Sequence, residues 1–190
     1  MIRKLLLFGI TIMLGCSGGQ GVVPLPATPS PTPIVVHKEP KAPDDVTEEL
    51  VNGIKVFRGT DWSINVPATF ERKQTKNKDN ALLFAAFDQT EQRLVMLVRG
   101  EVKNQTLAQF SGQIKSNIHE SGMTLISESD GVINSIPFHK IESFKPPLTI
   151  NTYILVNKEL GFVLACGGLM TNAVSNSEKC DQIAYSLEIK

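Results

Sequence analysis

The sequence predicts an α+β domain, with a mainly antiparallel β-sheet and two helices packed on it. Strand-length apolar runs separated by short polar turns dominate residues 51–190. Two further segments have the apolar spacing of helices, and the order is strands, helix, strands, helix. About 140 residues are an ordinary length for one domain with its own core.

The predicted strands cover most of this domain. They lie at 54–57, 62–66, 82–87, 94–98, 123–127, 132–136, 138–144, 148–156 and 160–166. Polar turns separate several of them, at 59–61, 88–93, 130–131 and 157–159. Because the runs at 82–87 and 94–98 are almost continuously apolar, they predict central strands covered on both faces.

The first predicted helix spans 107–120. Its apolar face is formed by residues spaced three or four apart: Leu107, Phe110, Ile114 and Ile118. Thr106 and Gln109 have the spacing of a capping box, and Gly122 stands where a glycine commonly ends a helix.

The second predicted helix spans 175–187, near the C-terminus. Cys180, Ile183 and Leu187 share its apolar face, together with Ala184. Either Ser175 or Ser177 would cap its N-terminus.

Residues 1–15 have the pattern of a signal peptide. Arg3 and Lys4 precede an apolar run, 5–14, and a small residue, Gly15. A bilayer-spanning helix needs about 20 apolar residues, so this run is too short for a permanent anchor. Cys16 follows at once, and this order resembles the lipobox of bacterial lipoproteins.

The lipobox resemblance implies that Cys16 is acylated and becomes the first residue after cleavage. Met13 stands where the pattern usually has leucine, and the alternative is an ordinary secretory signal with an incidental cysteine. Ser17 replaces the aspartate that retains enteric-type lipoproteins at the inner membrane, which favours the outer membrane. The expected location is therefore the bacterial cell envelope, with the protein facing the periplasm or the surface.

Residues 16–50 are expected to form the lipidated cysteine and a tether. Seven of the 11 prolines lie between 17 and 46, and the segment 24–33 favours extended polyproline II. A ligand for an SH3-like module is the alternative interpretation of these prolines. The acidic cluster 44–49 is interpreted as solvated linker or a short helical turn.

With Cys16 lipidated, Cys166 and Cys180 remain as an even pair in an oxidising compartment. A disulfide would close a loop of 15 residues and stabilise the fold by about 3 kcal/mol. Two buried free thiols are the alternative. No metal site is expected, because no histidine lies near either cysteine in the sequence.

The charge balance and the motifs exclude several classes of function. The chain has 19 basic and 19 acidic residues, so it lacks the excess of positive charge that is typical of nucleic-acid-binding proteins. No phosphate loop, zinc-protease motif or strong catalytic triad signature is present, so neither catalytic residues nor a cofactor are expected.

One basic loop is a candidate contact for anionic headgroups or an acidic partner. It contains Arg72, Lys73, Lys76 and Lys78. The alternative is a solvated turn between strands.

The domain resembles the PsbP-like fold, shared with DcrB-type bacterial lipoproteins and the Ran-binding Mog proteins. The matching segments are 62–70, the helix 107–120, 131–137, the hairpin 148–166 and the closing helix, within residues 52–190. Ser135 departs from the pattern, because many relatives have glycine there. The resemblance implies a lipid-anchored form in bacteria and mostly non-enzymatic roles.

The first functional hypothesis is therefore a non-catalytic envelope lipoprotein that binds a protein partner or stabilises an envelope assembly. By analogy with DcrB-type proteins, the second is a surface factor that affects phage or plasmid entry. The third is an envelope hydrolase with a cryptic site, which would require a pocket holding a histidine or carboxylate of perturbed pKa.

Overall fold

The computed structural model describes residues 46–73 and 81–190. The predicted signal peptide, Cys16, nearly all of the predicted tether, Lys76 and Lys78 lie outside the described residues. Neither helix in the described ranges has both the length and the apolar composition needed to cross a bilayer.

The elements follow one another in the predicted α+β order. The strands are β1 (Thr47–Val51), β2 (Ile54–Arg58), β3 (Trp62–Pro67), β4 (Glu71–Arg72), β5 (Leu82–Asp88), β6 (Arg93–Glu101), β7 (Thr124–Ile133), β8 (Ile136–Lys145), β9 (Leu148–Asn157), β10 (Leu160–Leu169) and β11 (Glu188–Ile189). The helices are α1 (Leu107–Glu120) and α2 (Ala173–Tyr185), and a short 3-10 turn, Met170–Asn172, precedes α2.

The strands form two antiparallel sheets. The smaller sheet has the order β1-β2-β3-β11, and the larger has the order β4-β5-β6-β10-β9-β8-β7. Every pairing is antiparallel, which confirms the predicted fold class. β7 forms one edge of the larger sheet.

Apolar residues cover both faces of the larger sheet. One face packs against the smaller sheet and α2, around the fully buried Trp62 and Phe57. Phe84 lies between these two rings, with centroids 5.8 Å from Trp62 and 4.7 Å from Phe57. The opposite face packs against Phe110 and Ile114 of α1. Each large side chain buried in this way contributes about 1.5–3 kcal/mol, so the two helices are held mainly by packing.

A disulfide between Cys166 and Cys180 joins β10 to α2. Both residues are fully buried in the core that lies under α2. The predicted pairing of the two cysteines is therefore present in the structure.

The ends of α1 match the predicted signals. The Thr106 hydroxyl accepts a hydrogen bond from the backbone N–H of Gln109, and the Gln109 side chain accepts one from the backbone N–H of Thr106. Gly122 follows the helix with a φ of +77°, a conformation that glycine adopts without strain.

Part of the acidic cluster was predicted wrongly as linker or helical turn. Glu48 and Glu49 lie in β1, so residue 51 is the last residue of that strand rather than the start of the folded region. Lys55 and Arg58 of β2 pair with these carboxylates at 3.2 and 2.7 Å. The composition of β1 is that of a linker. Its carboxylates face basic side chains of β2, and opposite charges on neighbouring strands favour their pairing.

The predicted turn at Asp130-Gly131 is also wrong. β7 continues through both residues, and the turn lies at Asn134 and Ser135, with φ values of 47° and 69°. Gly131 pairs with Phe138, whose ring would lie 2.6 Å from a Cβ atom at residue 131. The glycine therefore makes room for an aromatic ring inside the sheet.

The N-terminus of α2 lies earlier than predicted. The helix begins at Ala173, so Ser175 and Ser177 lie within it and do not cap it. The Ser177 hydroxyl instead lies 3.4 Å from the Asn151 side-chain oxygen of β9.

Candidate functional site

An open groove lies between α1 and the edge of the larger sheet. Its volume is about 520 Å³. The helix contributes one flank, made of Leu107, Ala108, Ser111, Gly112 and Lys115. The sheet contributes the other, made of Glu128 and Asp130 from β7 and His139 from β8.

The helical flank has small side chains in its middle. A Cβ atom added at Gly112 would have no heavy atom within 4 Å, so this part of the helix borders open space. Ser111 is only 6% exposed, and its hydroxyl has no hydrogen-bond partner among the described residues. Because a buried hydroxyl without a partner is costly, Ser111 is a polar group that a ligand in the groove would satisfy.

The sheet flank carries a charged cluster around His139. Its Nδ1 lies 2.8 Å from Asp130 Oδ1, and its Nε2 lies 3.1 Å from Glu128 Oε2. The Lys115 ammonium of α1 donates to the other oxygen of Glu128. Since ionised carboxylates only accept hydrogen bonds, a ring nitrogen that bonds to either of them does so by donating its N–H.

The charges of this cluster shift the pKa of Glu128. The hydrogen bond from Lys115 lowers the pKa of this carboxyl, against the raising effect of its partial desolvation. The hydrogen bond from His139 lowers it further. Glu128 is therefore held as a carboxylate across the groove from the helix.

Within the described ranges, no group of three or more His, Cys, Asp or Glu side chains is arranged to hold a metal ion. The carboxylates of Asp130 and Glu128 lie on opposite ring nitrogens of His139, instead of converging on one point. With both nitrogens engaged, the ring has none left to activate a nucleophile. The arrangement is suited to binding through charge.

The outer edge of β7 borders the same groove. Seven of its ten residues are exposed, and β8 is the one strand that pairs with it in the described part of the chain. A strand at the edge of a sheet presents a row of unpaired N–H and C=O groups. The groove therefore lies beside a strand edge that no described segment covers.

A second polar cluster lies under α2, on the opposite face of the sheet. The buried Tyr153 hydroxyl donates to Asp181 at 2.6 Å, and Lys140 Nζ lies 2.7 Å from the same carboxylate oxygen. Burial, followed by the contact with Asp181, raises the pKa of Tyr153. Lys140 is also 3.4 Å from the Ser177 hydroxyl and forms an ion pair with Asp181. This cluster holds α2 on the sheet.

Arg72 and Lys73, the two described residues of the predicted basic contact, do not line the groove. Arg72 donates to the Val46 carbonyl at 3.1 Å, and Lys73 Nζ lies 5.9 Å from the centre of the Phe87 ring. The sequence analysis assigned no site role to Ser111, Lys115 or His139. The sequence does contain one indication of this cluster. Side chains alternate between the two faces of a strand, so Glu128 and Asp130 of β7 lie on the same face.

The fold is that of a PsbP-like α+β domain. The structure is similar to the solution structure of cyanobacterial PsbP (CyanoP) from Synechocystis sp. PCC 6803, with a TM-score of 0.61. The match covers 74% of this chain and 94% of that chain at 11% identity, which shows the fold alone.

Two further solved structures are similar at TM-scores below 0.5. A protein from Bacteroides thetaiotaomicron has a TM-score of 0.45 and 12% identity, covering 68% of this chain and 45% of that chain. PA94 from Pseudomonas aeruginosa, a protein of unknown function, has a TM-score of 0.44 and 10% identity, covering 76% and 97%. No protein-family model and no curated protein sequence matches the chain.

Proposed function

We propose that the chain is a lipid-anchored, non-catalytic binding module of the bacterial envelope, whose PsbP-like domain recruits a protein partner. The observation that carries this proposal is the groove between α1 and β7, which is open, lined by charged side chains and bordered by an edge strand of the described sheet. The order of residues 1–16 supports the envelope location.

The non-catalytic character is supported by the state of the polar side chains. His139 lies between two carboxylates, and Lys140 forms an ion pair with Asp181. Neither arrangement provides a free base next to an exposed nucleophile, which acyl transfer and related chemistry require. Binding uses the same charges without a proton transfer.

The test is site-specific photo-cross-linking in bacteria that produce the full chain. A photoreactive residue at Ala108 lies in the groove, and one at Glu178 lies on an exposed part of α2. We expect an adduct with a single envelope protein from position 108 and none from position 178. No adduct at position 108, or equal adducts at both positions, would overturn the proposal.

A further inference from the structure

We propose that the outer edge of β7 accepts an extended segment of the partner as an additional strand. Alternate side chains of that segment enter the groove, with a basic side chain next to Asp130. This inference rests on the proposed recruitment of a protein partner and specifies how the partner binds. Three features of the groove carry it: an edge strand that pairs with one strand in the described part of the chain, open space beside the helix and an exposed carboxylate.

The first feature is the length of the free edge. β7 has ten residues, and its pairing with β8 extends from Thr124–Phe144 to Ile133–Ile136, with one irregularity near Leu125. An added strand pairs through the main chain, so affinity comes from backbone hydrogen bonds and specificity from pockets for alternate side chains. The groove along α1 supplies such a pocket.

The second feature is the room beside the edge. Ala108 and Gly112 are one helical turn apart on the flank of α1, and the space next to Gly112 is open. The Ser111 hydroxyl between them is buried and has no partner in the described ranges. Side chains of an added strand would occupy this space and bring a polar group within reach of Ser111.

The third feature is the charge of the edge. Asp130 has a side chain that is 83% exposed, whereas that of Glu128 is 34% exposed and is engaged by Lys115. Asp130 therefore keeps most of its carboxylate open to a basic side chain of the partner. Val132, on the same face of β7, is 58% exposed and offers an apolar contact two residues further on.

A second copy of this chain fits the edge less well. Two β7 strands paired antiparallel with full overlap would bring the Glu128 and Asp130 carboxylates of both copies to the same stretch of sheet. Like charges on neighbouring strands are destabilising, which is a recognised means of protecting sheet edges. The charge therefore favours a basic segment of a different protein.

The probe is a ten-residue peptide that alternates threonine with valine or lysine, compared with a peptide that has glutamate in place of lysine. Amide hydrogen exchange is measured on the full chain in detergent. At ten times its dissociation constant, we expect the lysine peptide to slow exchange of residues 124–133 about tenfold. We expect the glutamate peptide to bind at least about tenfold more weakly. Equal binding of both peptides, or protection elsewhere, would overturn the inference.

Two pairs of variants test the groove itself. Gly112→Phe fills the open space, whereas Gly112→Ala adds only a methyl group at the same position. Asp130→Lys reverses the exposed charge, and Glu178→Lys makes the same change on α2. We expect Gly112→Phe and Asp130→Lys to weaken the lysine peptide at least about tenfold. The two controls should bind it like the original chain, and unchanged binding in all four variants would contradict strand addition.

The combined results separate this inference from the proposed function. An adduct at position 108 that persists in Gly112→Phe and Asp130→Lys would leave the partner in place and overturn the strand geometry. Protection of residues 124–133 by the lysine peptide, with no adduct at position 108 in cells, would support the edge as a binding surface and overturn the recruitment of an envelope partner.

Discussion

Ser135 has a backbone conformation that suits serine poorly, with a φ of 69°. It follows Asn134 in the two-residue turn between β7 and β8, and both have positive φ values. Turns of this kind favour asparagine followed by glycine, because glycine has no Cβ atom to clash. We therefore expect Ser135→Gly to raise the free energy of unfolding by about 0.5–1 kcal/mol in urea unfolding experiments.

Asn134 provides the matched control for this turn. Its side-chain nitrogen donates to the Leu187 carbonyl at 2.8 Å, so Asn134→Gly relieves the same backbone conformation but removes a hydrogen bond. That bond is worth about 0.5–1.5 kcal/mol, and the variant should therefore gain no stability. Equal stabilisation by both glycine variants would show that the turn conformation alone decides the effect.

Asp88 makes the stability of the fold depend on pH, with a loss of stability in acid. Burial alone would raise the pKa of this carboxyl, but hydrogen bonds from the Thr69 hydroxyl and the backbone of Glu91 and Thr90, with the charge of Arg93, lower it overall. A pKa lowered by folding stabilises the native state above the unfolded pKa of about 4. This contribution is lost as the pH falls through the folded pKa.

We therefore expect Asp88→Asn to lower the free energy of unfolding at pH 7 by about 1.5–3 kcal/mol, the usual worth of hydrogen bonds to a charged group. The difference from the original chain should narrow at pH 3, because the aspartate of the unfolded chain is then largely protonated. Urea unfolding at both pH values measures it. If the two proteins differ in free energy of unfolding by the same amount at pH 7 and pH 3, the charge of Asp88 contributes nothing to stability.

The limits of sequence interpretation are clearest at Gly131. An aspartate followed by glycine is a strong local signal for a turn, yet Gly131 lies inside β7 because the Phe138 ring occupies the space of its missing side chain. A ring on another strand is a tertiary contact, and nothing within a few residues of Gly131 indicates it. Misplacing this turn also hid the alternation that places Asp130 beside His139.

At the scale of elements, predictability followed the strength of local signals. α1 was predicted with its true bounds and its capping box, because its apolar spacing and both ends are encoded within 106–122. β4 and β11 have two residues each and exist through their pairing with β5 and β3. Strands this short carry no periodicity, so they could not be predicted from the sequence.

At the scale of elements, the disulfide is expected to stabilise the attachment of α2 to the sheet. It joins α2 to β10 and closes a loop in which the two cysteines are 14 residues apart. Replacing Cys166 and Cys180 by alanine together should lower the free energy of unfolding by about 2–4 kcal/mol, because the unfolded chain regains conformational freedom. Urea unfolding with and without a reductant measures this loss.

The double alanine variant also serves as the control for reduction. A reductant should destabilise the original chain and leave the variant unchanged, since the variant contains no bond to reduce. A reductant effect of equal size on both proteins would contradict the assignment of the stabilisation to this bond.

At the scale of the whole molecule, the groove could not be predicted because it belongs to no single segment. Lys115, Glu128 and His139 come from α1, β7 and β8, and they meet only through the antiparallel register and the placement of the helix on the sheet. The sequence analysis placed Asp130 in a turn rather than on a strand beside the helix. The fold class was predictable, because it depends on the number and order of elements rather than on their contacts.

In the proposed function, the membrane anchoring of the molecule depends on the Cys16 sulfur. We expect the full chain produced in bacteria to partition into the detergent phase in Triton X-114 extraction, because several acyl chains give stable membrane anchoring. Cys16→Ser removes the acceptor and should move most of the protein to the aqueous phase. The controls are the Cys166 and Cys180 alanine variants, which keep the sulfur at residue 16 and should stay in the detergent phase. Detergent partitioning of Cys16→Ser would contradict lipidation at this residue and place the membrane contact elsewhere in the chain.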